Sequence, residues 1–183
     1  PVSIASTKTL SGAITVTAGS IKLDEAGTLA STVTMSGGTL DADETLTVSG
    51  ALTQAGAITI DVAEDKTLTY SGAALSLGAY TLTMSGEGTL SNTNALDLNN
   101  ASSKLLLSNS ITVAKVSTSA DNSGLDVDQN STVSSLTVGH TTPVSIASTK
   151  TLSGAITVTA GSIKLGETGT LASTVSMSGG TLD

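Results

Sequence analysis

Acidic residues have the clearest capacity for chemistry in this sequence, and they fall into short clusters. Asp126, Asp128 and Asn130 alternate along one segment, so on a strand their oxygen atoms would share one face. Oxygen ligands in such an arrangement can hold Ca²⁺. The segment DVDQN lacks the glycine and the terminal glutamate of a complete calcium loop. Solvated turn charges explain the cluster equally well, so these three residues are weak calcium candidates, and no other cofactor is indicated.

Enzymatic chemistry has little support among the remaining polar residues. The chain contains one histidine, His140, no arginine, and only two aromatic residues, Tyr70 and Tyr80. Solenoid enzymes that cleave polysaccharides place clustered acidic and basic residues beside aromatic sugar subsites. His140 lies in the turn-like segment GHTTP, without a serine or aspartate at a spacing that would fix a catalytic constellation. We therefore predict no enzymatic activity and no catalytic residues, and a polysaccharide-active enzyme is the least favoured function class.

Threonine flanks many apolar residues and could form a flat array on the outside of a β-structure. Three pairs bracket a leucine: Thr45/Thr47, Thr67/Thr69 and Thr81/Thr83. Ice-binding solenoids use such ranks to match hydroxyl and methyl groups to a water lattice. The step from the first pair to the second is longer than the step from the second to the third, and threonine has a high strand propensity by itself. This uneven spacing favours an ordinary solvated strand face.

A long internal repeat organises the elements that position these residues. Residues 1–41 return as residues 143–183 with 38 of 41 positions identical. The three differences spare every Leu, Ile and Val, and they are Asp24/Gly166, Ala26/Thr168 and Thr34/Ser176. Self-similarity at a fixed period indicates a repeat architecture. We interpret 1–142 as one full unit and 143–183 as the start of the next unit in one continuous rod, and we expect a longer array.

Within the unit, apolar and polar residues alternate in short segments, such as Leu46/Val48 and Leu105/Leu107. A period of two is typical of strands, and no sustained i, i+3, i+4 stripe indicates a helix. Glycine, serine and asparagine fill the intervening segments, where the chain turns. Strands of about three to five residues are too short for a free-standing meander. Parallel stacking on the previous coil would cover them, so the sequence predicts an all-β parallel β-solenoid.

Coil length decides the number of sides. Recurrent pattern starts divide the repeat period into seven coils, with lengths between about 18 and about 22 residues. Most of these coils hold two or three apolar pairs, which favours three sides. A two-sided solenoid with coils of roughly 14 residues stays open, because 68–81 and 82–95 both begin LT(Y/M)SG. At about 4.8 Å per coil, seven coils advance about 34 Å.

Charge and composition limit the partners. Seven lysines face fifteen acidic residues, giving a net charge of -8 that disfavours a phosphate backbone. No window approaches about 18 uninterrupted apolar residues, so we expect neither nucleic acid binding nor membrane insertion by this segment. The absence of cysteine is compatible with an extracellular or cell-surface protein. Open strand edges predict contacts with other copies or neighbouring repeats of the chain, end to end and laterally.

The richness in Thr, Ser, Ala, Gly and Asn, together with the repeated (L/I)T(V/Y/M)SG strands, resembles large repetitive bacterial surface proteins. The similar families are the filamentous-haemagglutinin-like exoproteins and the autotransporter passenger adhesins. The resemblance implies a long, secreted β-solenoid stalk. We therefore expect a structural segment of an extracellular fibre, stalk or adhesin built from tandem repeats. The alternative is a binding solenoid, for ice or for Ca²⁺-dependent surface adhesion.

Overall fold

The computed structural model describes residues 2–3, 8–23 and 27–183, and every regular element in these ranges is a β-strand. None of the described residues forms a helix that could cross a membrane. Asp24 and Ala26, which differ between the two copies, lie outside the described residues. The strands in chain order are β1 (Val2–Ser3), β2 (Thr9–Leu10), β3 (Ala13–Val16), β4 (Ser20–Leu23), β5 (Thr28–Leu29), β6 (Thr32–Met35), β7 (Thr39–Ala42), β8 (Leu46–Val48), β9 (Leu52–Gln54), β10 (Ile58–Val62), β11 (Thr67–Tyr70), β12 (Leu75–Ser76), β13 (Thr81–Gly86), β14 (Thr89–Asn92), β15 (Leu96–Leu98), β16 (Lys104–Leu107), β17 (Thr112–Thr118), β18 (Gly124–Val127), β19 (Ser131–Val138), β20 (Pro143–Ile146), β21 (Thr151–Val158), β22 (Ser162–Leu165), β23 (Thr170–Met177) and β24 (Thr181–Leu182).

These strands form three sheets that wrap one apolar core. The first sheet runs β1-β4-β7-β10-β13-β16-β18-β20-β22-β24, and the second runs β2-β5-β8-β11-β14-β17-β19-β21-β23. The third side begins as β3-β6-β9, and β12 and β15 continue onto the second half of β17. Every described pairing is parallel and joins strands of neighbouring coils, as in the pairing of β18 with β20. Ten strands in the first sheet give about nine turns, which confirms the predicted parallel β-solenoid.

The three sheets fit a three-sided solenoid. They also explain why the similar starts of 68–81 and 82–95 suggested shorter coils. Leu68 lies on β11 in the second sheet, whereas Leu82 lies on β13 in the first sheet. The two similar segments are therefore different sides of the winding rather than successive coils. Coil length varies along the rod: a short coil separates Leu125 from its partner Val144, and the longest separates Ile58 from Leu82. That longest coil slightly exceeds the predicted range.

The first sheet shifts sideways at β10, which has three buried apolar residues on its inner face. The preceding β7 places Leu40 beside Ile60, whereas the following β13 places Leu82 beside Ile58. Seven pairing steps from Val2 consequently lead to Ile146 and not to its sequence copy, Val144. In this sheet the second copy is thus offset by two positions, about 6.6 Å along a strand.

Glycine marks the corner between the second and third sides. Gly12 and Gly154 are equivalent in the two copies, and both have positive φ, 107° and 127°. β21 nevertheless runs through this corner over eight residues, longer than the strands the sequence predicts. A Cβ atom on Gly154 would lie 1.8 Å from the carbonyl oxygen of Val133 on the coil before. Only glycine fits this close approach between coils.

Inward Leu, Ile, Val and Met side chains fill the interior, as the alternation predicts. Tyr70 is the one buried aromatic residue among the described residues, and its hydroxyl accepts a hydrogen bond from the Leu52 N–H at 3.1 Å. Burial raises the pKa of the Tyr70 hydroxyl. At another corner, the buried hydroxyls of Ser123 and Thr142 lie 2.8 Å apart and both bond the Ala120 carbonyl. Buried polar groups at these positions are thereby satisfied.

Candidate functional surfaces

Because the two sequence copies are nearly identical, equivalent residues can be compared with and without a neighbouring coil. Their internal pairing is the same, since Val2 pairs with Ile21 as Val144 pairs with Ile163. Their burial differs. Three equivalent pairs show this by their exposed fractions: Val2 56% and Val144 0%, Met35 0% and Met177 45%, Leu40 1% and Leu182 49%. The sequence is nearly constant between copies, so the presence of a neighbouring coil determines the burial.

The first coil has an open cleft of about 270 Å³ whose lining includes Val2, Leu10, Ile14 and Val16. In the second copy the equivalent apolar residues are buried, because β18 and β19 pair with β20 and β21. The cleft is therefore the space that a preceding coil occupies in the middle of the rod. Its apolar lining residues are the equivalents of residues that a preceding coil covers in the second copy.

Threonines on the second sheet form two ranks that we call the hydroxyl face. Register places the two ranks as follows: Thr9, Thr28, Thr47, Thr69 and Ser91 in one, and Thr67, Thr89, Thr112, Thr132 and Ser153 in the other. Thr45 precedes the second rank, and its hydroxyl accepts a hydrogen bond from the Thr67 N–H at 3.2 Å. No charged residue belongs to either rank.

The ranks were hidden in the sequence by the unequal coil lengths. Thr81 and Thr83 lie on β13 in the first sheet, so the short step from Thr67 to Thr81 joins two different sides. When Thr81 and Thr83 are assigned to the first sheet, the remaining threonines of the second rank advance by one coil at every step, from Thr67 through Thr89 to Thr132. The uneven spacing in the sequence therefore does not reveal the alignment on this side, because register and not sequence spacing aligns the side chains.

Polar side chains on the other sides bond across coils. On the third side, Asp97 accepts hydrogen bonds from the hydroxyls of Ser117 and Ser119 at 3.2 and 2.7 Å. On the first sheet, the hydroxyl of Ser85 donates to Asp61. Ion pairs also join coils, Lys22 with Asp43 beside this sheet and Lys66 with Glu44 at the corner that leads into the second sheet, each at 2.7 Å. Such exposed pairs contribute about 0–1 kcal/mol each.

Two neighbouring acids beside the first sheet have opposite pKa shifts. Burial and the charge of Asp43 raise the pKa of Asp41, although Lys22 opposes this. The hydrogen bond from Lys22 lowers the pKa of Asp43. The two carboxylates therefore compete for one lysine, and Asp41 is the less favourably ionised of the two.

The three calcium candidates lie on β18 and in the segment directly after it. Asp126 lies on the outer side of β18 between Leu106 and Ser145, whereas Asp128 follows the end of the strand and is exposed. The amide oxygen of Asn130 accepts the N–H of Thr151 at 3.0 Å on the next coil. Across the described part of the chain, no group of three or more acidic or histidine residues is placed to hold a metal ion.

His140 lies at an exposed corner with positive φ, 55°. Its Nδ1 lies 3.6 Å from Asp121, a contact between coils that sequence spacing did not reveal. The N–H and hydroxyl of Thr141 donate to the same Asp121 oxygen at 2.9 and 3.2 Å, and these bonds lower the pKa of Asp121. The neighbouring hydroxyl is thus engaged with the carboxylate and not with the imidazole.

Asparagines bond backbone groups of adjacent coils. The amide of Asn92 donates to the Lys115 carbonyl at 2.7 Å and accepts its N–H at 3.1 Å. Asn94 donates to the Gly72 carbonyl at 3.0 Å, and Asn99 accepts the Gly78 N–H at 3.0 Å. These side chains therefore fix the stacking of turns.

Comparison with protein-family models, curated proteins and solved structures finds no match to this chain.

Proposed function

We propose that this chain is a structural segment of a long extracellular fibre, stalk or adhesin built from tandem β-solenoid units. The observation that carries the proposal is the burial difference between copies. Leu40 is 1% exposed where a coil follows it, and its copy Leu182 is 49% exposed where none does. Each coil thus completes the core of its neighbour, so a further unit would extend the rod.

End-to-end contact with neighbouring repeats, or with other copies of the chain, follows from the same feature. The first coil exposes Val2 and a cleft whose lining includes Leu10, Ile14 and Val16, and the last coils expose Met177 and Leu182. Unpaired parallel strand edges at both ends can also bond a further coil. Lateral contacts between rods would add stiffness to a fibre.

The extracellular location is supported by composition. The cysteine-free, acidic, threonine-rich chain resembles repetitive bacterial surface proteins in rhythm and residue content. The paired side chains between coils suit a mechanical role, because each coil is fixed to the next at several sides. We propose no catalytic role, since His140, Asp97 and Asp43 are engaged in contacts between coils.

Immunogold electron microscopy of intact cells of the source organism tests this function. Antibody raised against the segment should label extended material outside the cell envelope of unpermeabilised cells. Labelling that requires permeabilisation, or that stays inside the cell, would contradict the extracellular proposal. An antibody against a cytoplasmic protein serves as the control for intact envelopes.

A further inference from the structure

We propose that the hydroxyl face binds an ice surface, a function that goes beyond the rod role. Three successive coils carry two hydroxyls each on this face: Thr45/Thr47, Thr67/Thr69 and Thr89/Ser91. Thr112 and Thr132 extend one rank across two more coils. The result is an array that extends in two directions on one side of the rod.

Strand geometry fixes the spacing of this array. Residues two apart on a strand, such as Thr67 and Thr69, lie about 6.6 Å apart, and successive coils lie about 4.8 Å apart. Both distances are near oxygen repeat distances on faces of hexagonal ice. Threonine is stiff at χ1, so neighbouring threonines of a rank can present their hydroxyl and methyl groups in one repeated orientation. The array can therefore hold water molecules at regular positions.

The hydroxyls of this face are available to a ligand. Within the described part of the chain, the side-chain hydroxyls of Thr47, Thr69, Thr89, Thr112 and Thr132 have no hydrogen-bond partner in the protein. Threonines also align on the other two sides, as Thr39/Thr59/Thr83 and Thr15/Thr34/Thr53. On those sides, however, Asp61 and Asp97 bond serine hydroxyls on adjacent coils. The hydroxyl face thus keeps its hydrogen-bonding capacity for a partner outside the protein.

The charge distribution favours a neutral and periodic partner. The chain has a net charge of -8, but the ranks contain no charged residue. Charges lie instead on the first sheet, on the third side and at corners, as for Lys22, Asp97 and Asp121. At the edge of the face, Lys66 and Glu44 neutralise each other in an ion pair. A charged macromolecule would find no complementary group on this face. An ice surface is neutral, polar and periodic, and many weak contacts to one lattice act together.

The test freezes a solution of the intact chain slowly and measures how much protein the growing ice takes up, while microscopy records crystal shape near the melting point. Thr69→Lys and Thr89→Lys place charges in the ranks. Thr83→Lys is the matched control, because Thr83 is an outward threonine on the first sheet. Thr69→Val keeps a branched side chain and removes the hydroxyl. Circular dichroism and thermal melting establish that each variant is folded.

The expected result is enrichment of the wild-type chain in ice with faceted crystals, loss of both in Thr69→Lys and Thr89→Lys, and retention in Thr83→Lys. Thr69→Val should give reduced uptake. Exclusion of the folded wild-type chain from ice, with round crystals, would overturn the proposal. Equal loss in Thr83→Lys would also overturn it, because binding would not depend on this face. Neither result would affect the rod, whose length is measured separately.

Discussion

Replacing a leucine at equivalent positions of the two copies tests whether coil stacking determines stability. Leu40 pairs with Ile21 and Ile60 on both neighbouring coils and is 1% exposed. Leu182 occupies the same place in the second copy, pairs only with Ile163 and is 49% exposed. Both residues have the same neighbours in sequence, since residues 39–41 and 181–183 are identical.

The expected costs differ by severalfold. Leu40→Ala removes a fully buried side chain and leaves a cavity, which costs about 2–5 kcal/mol. Full burial of a leucine contributes about 1.5–3 kcal/mol, and Leu182 is about half exposed without a closed cavity around it. Leu182→Ala should therefore cost about 1 kcal/mol or less.

Urea unfolding followed by circular dichroism gives the free energies, and hydrogen exchange locates the destabilised coil, because solenoid repeats unfold in part. An extended chain, in which Asp183 is followed by residues repeating 42–142, supplies the control. Leu182→Ala should then become as costly as Leu40→Ala. Equal costs of the two variants in the unextended chain would refute the stacking argument.

Three further perturbations have clear expectations. Gly154→Ala should lower the melting temperature far more than Gly12→Ala, because the new Cβ would lie 1.8 Å from the Val133 oxygen, whereas nothing lies within 4 Å at Gly12. Both substitutions share a cost of about 1–2 kcal/mol for a side chain at positive φ. Similar shifts in melting temperature would argue against the close approach at Gly154. Leu82→Asp would bury an unpaired charge and should open its coil to protease, whereas Asp128→Ala and His140→Ala should leave protection unchanged; the reverse order of cleavage would contradict the core assignment. Asp41→Asn should raise stability near neutral pH, because burial disfavours the ionised Asp41. The pKa of Asp41 is raised in the folded state, so the stability gained by the substitution should shrink as pH falls through that pKa. A stability gain that persists at low pH would exclude this cause.

The local strand pattern was predictable from the sequence. Alternation places Leu82 and Leu105 in the core, and both are fully buried on paired strands. The burial of residues near the ends was not predictable, because the alternation identifies inward residues but does not show whether another coil covers them. Val2 and Val144 have the same neighbours in sequence and differ from 56% to 0% in exposure.

Relations between coils were harder to predict, because every side carries the same short pattern. Leu68 and Leu82 resemble each other although they lie on different sheets, and this suggested a false two-sided winding. Variable corner lengths also hid the alignment of Thr89 with Thr112 and the contact of Asp121 with His140. These alignments depend on the number of residues absorbed at each corner, which the sequence pattern leaves open.

Rod length as a function of repeat number tests the central claim most directly. Chains extended by one, two and three further copies of the unit 1–142 can be measured by electron microscopy and small-angle X-ray scattering. Coil stacking predicts that each unit adds about 34 Å of length at constant cross-section. A cross-section that grows with repeat number, or a length that stays constant, would contradict a continuous solenoid rod.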